Sequence, residues 1–275
     1  MTAEGSASVE DDRLYFFHTT IAGRRIEIEC LIESTALFFK DYLSRFDSPD
    51  FVVRASAEAL ERELSNAVPL IPPEAAQLGN GFGGGITTAE PYLILRGVAD
   101  ELFNYNTLLI HGAAIDVDGK CYIFIAPSGT GKSTHARNWL RMVKGASIVN
   151  GDKPFVNVAS GLVYGSPWCG KEGMGSNTVS KLAAIVSLER GNTNTIRRVS
   201  FKEFLPSLIQ QCYVPQEGRL ATKAYQLMAK LSNTPCYRLR CNMDPESALI
   251  AYKGVRECGM PELSHPLEHT RHSTH

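Results

Sequence analysis

Long hydrophobic runs are missing from this sequence: no apolar stretch approaches the roughly 18–20 residues that a membrane-crossing helix needs. An excess of charge is missing too. The formal net charge is −1, so no global field draws the chain to nucleic acid or to an anionic membrane. None of the seven cysteines (Cys30, Cys121, Cys169, Cys212, Cys236, Cys241 and Cys258) belongs to a CxxC pair. An odd set of this kind argues against a disulfide framework and for reduced thiols. Cys236 and Cys241 lack the matching second pair that a zinc site requires. The opening residues MTAEGSASVEDD are small and acidic, unlike the charged-then-apolar pattern of a secretory signal. The expected setting is therefore the cytoplasm, with neither nucleic acid nor membrane as a partner. Internal repeats are absent as well.

The chain does have an ordinary globular balance, 44% hydrophobic and 21% charged. Its 275 residues allow one large domain, or a small one with a medium one. LYFFHTTI and RRIEIECLI, within Leu14–Ile32, read as a hairpin about Ala22-Gly23, the second run alternating charged residues with isoleucine. Ser34 is placed to cap a short helix reaching about Leu43. FVVRAS reads as a strand and AEALERELSNA as a charged helix. Proline and glycine crowd Pro69–Ile86, which marks a boundary or a mobile cover. A domain boundary is expected near residue 88, with a helix over Glu90–Tyr105 leading into the second part. The domains so read are 1–88, an α+β unit suited to recognising an acceptor; 89–260, the catalytic unit; and 261–275, a tail. That tail carries His265, His269, His272 and His275 without hydrophobic periodicity and is left out of the argument.

The second part opens with TLLIHGAAIDV, Asp118-Gly119 and KCYIFIA, a hairpin whose Asp-Gly supplies the positive φ angles of a tight turn. Its second strand runs directly into A-P-S-G-T-G-K-S, Ala126–Ser133. This fits G-x-x-x-x-G-K-[ST] except that alanine stands at the first glycine. Gly129 and Gly131 let the backbone curl so that successive N–H groups point at phosphate oxygens. The helix expected from Lys132 to Met142 adds the positive end of its dipole. Lys132 can reach the β- and γ-phosphates, and the Ser133 hydroxyl can ligate Mg²⁺. The expected nucleotide-binding set is Ser128, Gly129, Thr130, Gly131, Lys132, Ser133 and Thr134, with ATP and Mg²⁺ as cofactors. Further strands are expected at Ala146–Val149, Phe155–Val158, Leu162–Gly165, Leu182–Leu188 and Tyr237–Arg240, and helices at Phe201–Gln211, Leu220–Leu231 and Pro245–Val255. A hairpin feeding the loop argues for a mixed sheet.

Asp152, in SIVNGDKPF, ends the strand after the loop helix. A carboxylate there can orient Mg²⁺ or accept a proton from an attacking hydroxyl, although Asn-Gly-Asp is also an ordinary turn sequence. GSPWCGKEGMGSN, Gly165–Asn177, has the composition of a working loop. Trp168 offers a stacking face unless it is buried, Lys171 could bind the transferred phosphoryl group, and Glu172 could assist the metal or the acceptor. No activating base for Cys169 is identifiable. Arg190, Arg197 and Arg198 flank GNTNTI; arginines there either offset charge on a moving phosphoryl group or decorate a turn.

In the order LIHGAAIDVDGKCYIFIAPSGTGKST followed by IVNGDKPF, the second part resembles the HPr kinase/phosphorylase group of P-loop proteins, relatives of ATP-dependent phosphoenolpyruvate carboxykinase. The GSPWCGKEG block is similar to that of a branch that includes kinases phosphorylating serine on lasso-peptide precursors. The resemblance covers roughly residues 105–255 and not the first hundred. It implies that Lys132 and Ser133 hold phosphate and magnesium, that His111 assists near the transferred group, and that Asp152 is base or metal partner. It also implies a tendency to form homo-oligomers. The family often shows two adjacent aspartates, where this chain has Asp152-Lys153. The glutamate-bearing signature strand is absent, with Lys171-Glu172 in roughly its place. The resemblance thus carries a kinase activity but neither the HPr acceptor nor the reverse phosphorolysis.

The expected fold is α/β with α+β character: a mixed-sheet P-loop domain of HPr kinase/phosphoenolpyruvate carboxykinase type behind a smaller α+β N-terminal domain. The expected function is transfer of the ATP γ-phosphoryl group to a serine-type hydroxyl of a peptide, protein or small molecule. The alternatives are a non-catalytic ATP-sensing module and a carboxykinase-like lyase.

Overall fold

The computed structural model describes residues 14–66 and 86–257, which form a mixed α/β architecture around two sheets. The breaker-rich segment before residue 86, Cys258 and the histidine-bearing tail lie outside the described residues. No helix among the described residues is long and apolar enough to cross a membrane.

The first sheet follows from its alternating sequence. Strands β1 (Tyr15–Ile21) and β2 (Arg24–Cys30) form the expected antiparallel hairpin, and β3 (Phe51–Arg54) joins β2 in parallel. In β2 the period of two sends Ile26, Ile28 and Cys30 into the core and leaves Arg25, Glu27 and Glu29 toward the other face. Helix α1 (Thr35–Phe38) is only one turn, and a 3₁₀ turn, Lys40–Tyr42, continues it. Ser34 stands at the N-cap position, as the sequence suggests, but its side chain makes no capping bond. Thr35 is the residue that matters, donating its hydroxyl to Glu90.

Helix α3 (Ile86–Leu102) packs against this sheet, and α2 (Ala57–Asn66) packs against α3. The fully buried Glu90 of α3 accepts the Leu31 N–H at 2.6 Å and the Ile32 N–H at 3.3 Å as well as the Thr35 hydroxyl. A buried carboxylate surrounded by donors in this way holds the chain beyond β2 onto α3. Ile94, Val98 and Leu102 of α3 continue the same core, which extends to Leu109, Phe155 and Trp168 of the second part.

The second sheet contains nine strands: β4 (Thr107–Leu109), β5 (Gly112–Val117), β6 (Lys120–Ile125), β7 (Ala146–Asn150), β8 (Phe155–Asn157), β9 (Leu162–Tyr164), β10 (Val179–Arg190), β11 (Thr195–Val199) and β12 (Cys236–Cys241). Its path is β4-β8-β9-β10-β6-β5-β7, with β12 and β11 branching from β10. β10 runs parallel to β6 and β12, while β5 is antiparallel to β6 and β7, so the sheet is mixed. Asp118 and Gly119, at φ 53° and 77°, make the β5–β6 turn.

Alternation along β6 builds both faces. Cys121, Ile123 and Ile125 pack beneath α5 (Phe201–Gln211) and α6 (Gly218–Ala229), while Tyr122 and Phe124 pack beneath α4 (Lys132–Met142) and α7 (Glu246–Glu257).

Two readings of the sequence need correcting. TLLIHGAAIDV is not one strand: it breaks at Ile110 and His111, where the Ile110 N–H donates to the Pro154 carbonyl, next in register after β8, and the His111 N–H turns to that of Gln211. The segment around Arg197 and Arg198 is strand β11, paired antiparallel with β12, rather than the end of a turn.

Candidate functional site

β6 delivers the chain to the glycine-rich segment, and α4 leaves from it. A turn closes where the Thr130 N–H donates to the Pro127 carbonyl at 3.3 Å, with Gly129 at φ 76° and Gly131 at φ 121°. These angles are costly for a residue bearing a Cβ, which is why glycine stands at both positions. Gly131 is the N-cap of α4, so no side chain caps the helix and no acidic residue lies in its first turn. The leading N–H groups and the positive end of the helix are left to an anion.

Lys132 is buried, its amine donating to the Ala126 carbonyl at 2.8 Å and lying 3.5 Å from that of Pro127. Burial lowers its pKa below the ordinary lysine value, and the charge of Asp152 opposes that shift. Ser128 and Gly129 are exposed, while Thr130, Ser133 and Thr134 are half-buried. From the end of β10, Arg190 donates to the Gly129 carbonyl at 2.6 Å. Arg190 is therefore the arginine that reaches the loop. Arg197 instead pairs with Glu203 on the first turn of α5.

Asp152 follows β7 on an Asx-type turn. The buried Asn150 carbonyl oxygen accepts the N–H groups of Asp152 and Lys153 at 2.8 and 2.6 Å, and its amide donates to Ser166. Here the strand break at Ile110-His111 has its consequence. The Gly112 N–H donates to the Asp152 carbonyl, and the His111 imidazole Nε2 lies 3.1 Å from Asp152 Oδ1. Lys153 Nζ lies 3.3 Å from Asp152 Oδ2. Burial pushes the Asp152 carboxyl up, but the His111 hydrogen bond and the Lys153 charge outweigh it and hold it below the usual carboxylate value. The group is ionised at neutral pH, braced on both oxygens, and within the electrostatic reach of Lys132.

The Gly165–Asn177 segment contributes backbone more than side chains. A Cβ on Gly170 would come within 3.0 Å of the Asp152 Cβ, so this loop packs directly on the aspartate. Trp168 is not an available stacking face. It is 2% exposed, lies against Phe38 and Phe39, and donates its indole N–H to the Pro91 carbonyl at 2.9 Å. Glu172 pairs with Arg137 of α4, and Lys171 is exposed without an ion pair among the described residues. Burial pushes the Cys169 thiol up to about 11, which removes it as a neutral-pH nucleophile.

The structure thus brings Asp152, His111 and Lys132 into one site and leaves Lys171 and Glu172 at its rim. Sequence reasoning missed Asn150 and Lys153 as members. Asn-Gly-Asp was the signal for the first, because an asparagine two residues before an aspartate is placed to turn the backbone beneath it. Ser133 and Asp152 supply one hydroxyl and one carboxylate, the donor set expected where a small hard cation takes its remaining ligands from phosphate and water. No cluster of three or more His, Cys, Asp or Glu that could hold a metal by itself occurs among the described residues.

Comparison of the sequence with protein-family models and with curated proteins finds no match.

Proposed function

We propose that this protein is an ATP- and Mg²⁺-dependent kinase of the HPr kinase/phosphoenolpyruvate carboxykinase type. The observation that carries the reading is the Asp152 carboxylate, braced by His111 and Lys153 and near enough for its charge to be felt by the lysine of a glycine-rich loop. A loop of this chemistry binds phosphate in many proteins; a half-buried, ionised carboxylate near it is what phosphoryl transfer to a hydroxyl additionally requires.

In this reading the N–H groups at the start of α4 hold the phosphates of ATP. Lys132 exchanges its carbonyl partners for phosphate oxygens, and Arg190 fixes the loop from β10. Ser133 and Asp152 are the residues that would hold Mg²⁺, which would supply neutralisation of phosphate charge. The acceptor hydroxyl oxygen forms a bond to the γ-phosphorus while the bond to the β,γ-bridging oxygen breaks, its electron pair leaving with ADP. The hydroxyl proton passes to Asp152. A carboxylate of lowered pKa is a weak base, but phosphoryl transfer through a loose transition state asks chiefly for positioning, with proton removal coming late. His111 and Lys153 keep the carboxylate aimed.

Asp152→Asn retains the shape and removes the charge. Transfer from γ-labelled ATP should fall about 10²–10⁴-fold, the usual range for a general base, with the Kd for metal-free ATP changed by no more than about threefold. Wild-type turnover in this variant would remove Asp152 from the mechanism.

A further inference from the structure

A cleft of ≈ 230 Å³ opens between α3 and the end of α5, lined among others by Tyr92, Arg96, His111, Lys153 and Gln211. Two of these, His111 and Lys153, are the residues that hold the two oxygens of Asp152. The cleft therefore reaches the site from the side of the carboxylate, through the groups that position it. No carboxylate is among its lining residues, whereas Arg96, Lys153 and His111 all are. Arg96 is bonded to Glu63 through one nitrogen and also feels the charge of Asp100, but a guanidinium has five donors, so it retains donors for a ligand. Lys153 likewise has donors beyond the one directed at Asp152.

A second observation specifies the other half of the ligand. Gln211 is 7% exposed, and its side-chain oxygen is buried without a hydrogen-bond partner among the described residues. A buried acceptor left without a partner costs about 1–3 kcal/mol, a cost that a ligand bringing an N–H or O–H into the cleft removes. Size narrows the class further. At ≈ 230 Å³ the cleft lies below the ~300 Å³ at which drug-sized pockets begin.

Resting on the kinase reading above, we propose that this cleft is the acceptor site and that the acceptor is a small hydroxyl compound. Such a compound carries an anionic group for Arg96 and Lys153 and a hydrogen-bond donor for Gln211, the chemistry of hydroxy acids and hydroxy amino acids. One hydroxyl of the bound compound faces Asp152 and receives the phosphoryl group.

Calorimetric titration of the full chain with D-glycerate, L-serine, glycerol 3-phosphate and glycerol tests the site without relying on turnover. The proposal expects binding of at least one anionic compound, none of uncharged glycerol, a tenfold or greater loss in Arg96→Gln, and partial retention in Arg96→Lys, each variant melting as the wild type does. Carboxylate or phosphate as the preferred anion is decided by which probes bind. Absence of binding by every anionic probe, or binding indifferent to Arg96→Gln, overturns the proposal. The same compounds with γ-labelled ATP separate the two claims. Label on the compound that binds supports both, and label only on serine peptides, indifferent to Arg96→Gln, refutes the cleft while sparing the kinase. Binding in the cleft without ATP binding or transfer keeps the anion site, removes its role as an acceptor site, and refutes the kinase.

Discussion

Arg190 and His135 show how differently two polar residues close to one loop are used. Arg190 stands at the end of β10 and donates to the Gly129 carbonyl, so its truncation loosens the loop without opening a core. A hydrogen bond to a charged group contributes about 1.5–3 kcal/mol at most, and partial exposure reduces that. Arg190→Ala should raise the KM for ATP roughly tenfold, equivalent to ~1.4 kcal/mol, with the melting temperature nearly unchanged; an unaltered KM in steady-state assays would mean that the contact does not shape the loop. His135, one turn into α4, is buried and accepts the Trp139 indole N–H at 2.9 Å. Burial lowers its pKa from 6.5 to about 4. Between those values the unfolded chain binds the proton and the folded one does not. Stability is therefore complete above pH 6.5 and is lost as pH falls toward 4, by about 3 kcal/mol. His135→Gln retains an acceptor for Trp139 and should flatten urea-denaturation stability across that window; an unchanged pH slope would assign the acid sensitivity elsewhere.

At the scale of elements, the parts legible in the sequence are those fixed by neighbours in the chain. The β5–β6 hairpin follows from Asp118-Gly119, and the strand–loop–helix unit follows from Gly129, Gly131 and the amphipathic α4. The period of two in RRIEIEC settled β2 for the same reason. What was not legible depends on distant partners. The break at Ile110-His111 exists because Gln211 offers its carbonyl to the His111 N–H, and nothing between Thr107 and Val117 announces it. Strand β11 is unremarkable until β12 lies beside it. Trp168 read as a stacking face because its own loop is glycine-rich, whereas its actual surroundings, Phe38, Phe39 and Pro91, come from the end of α1 and from α3. Trp168→Ala should cost about 3–5 kcal/mol in denaturant unfolding, the range for a large buried aromatic. A loss below ~1 kcal/mol would show that the tryptophan does not clamp this loop to α3.

For the whole molecule, the two sheets are joined through one core that passes from β2 and α3 to Leu109, Phe155 and Trp168. That continuity gives the site its two sides. The glycine-rich loop rises from β6 with β10 beside it, where parallel strands end and ligands of α/β sheets commonly bind. The Asp152 carboxylate rises from β7 with α3 and α5 flanking the cleft beyond it. In the proposed kinase a nucleotide on one side and a hydroxyl on the other would meet across Asp152, with Lys132 as the residue on which the nucleotide side would turn. The decisive measurement is γ-label transfer from ATP by wild type and Lys132→Ala, in parallel, against hydroxylated small molecules and serine peptides. Label on one acceptor class, reduced at least a hundredfold in Lys132→Ala, is the predicted result. Transfer that survives the substitution, or a wild-type protein that binds no ATP and labels nothing, would contradict a kinase built on this loop.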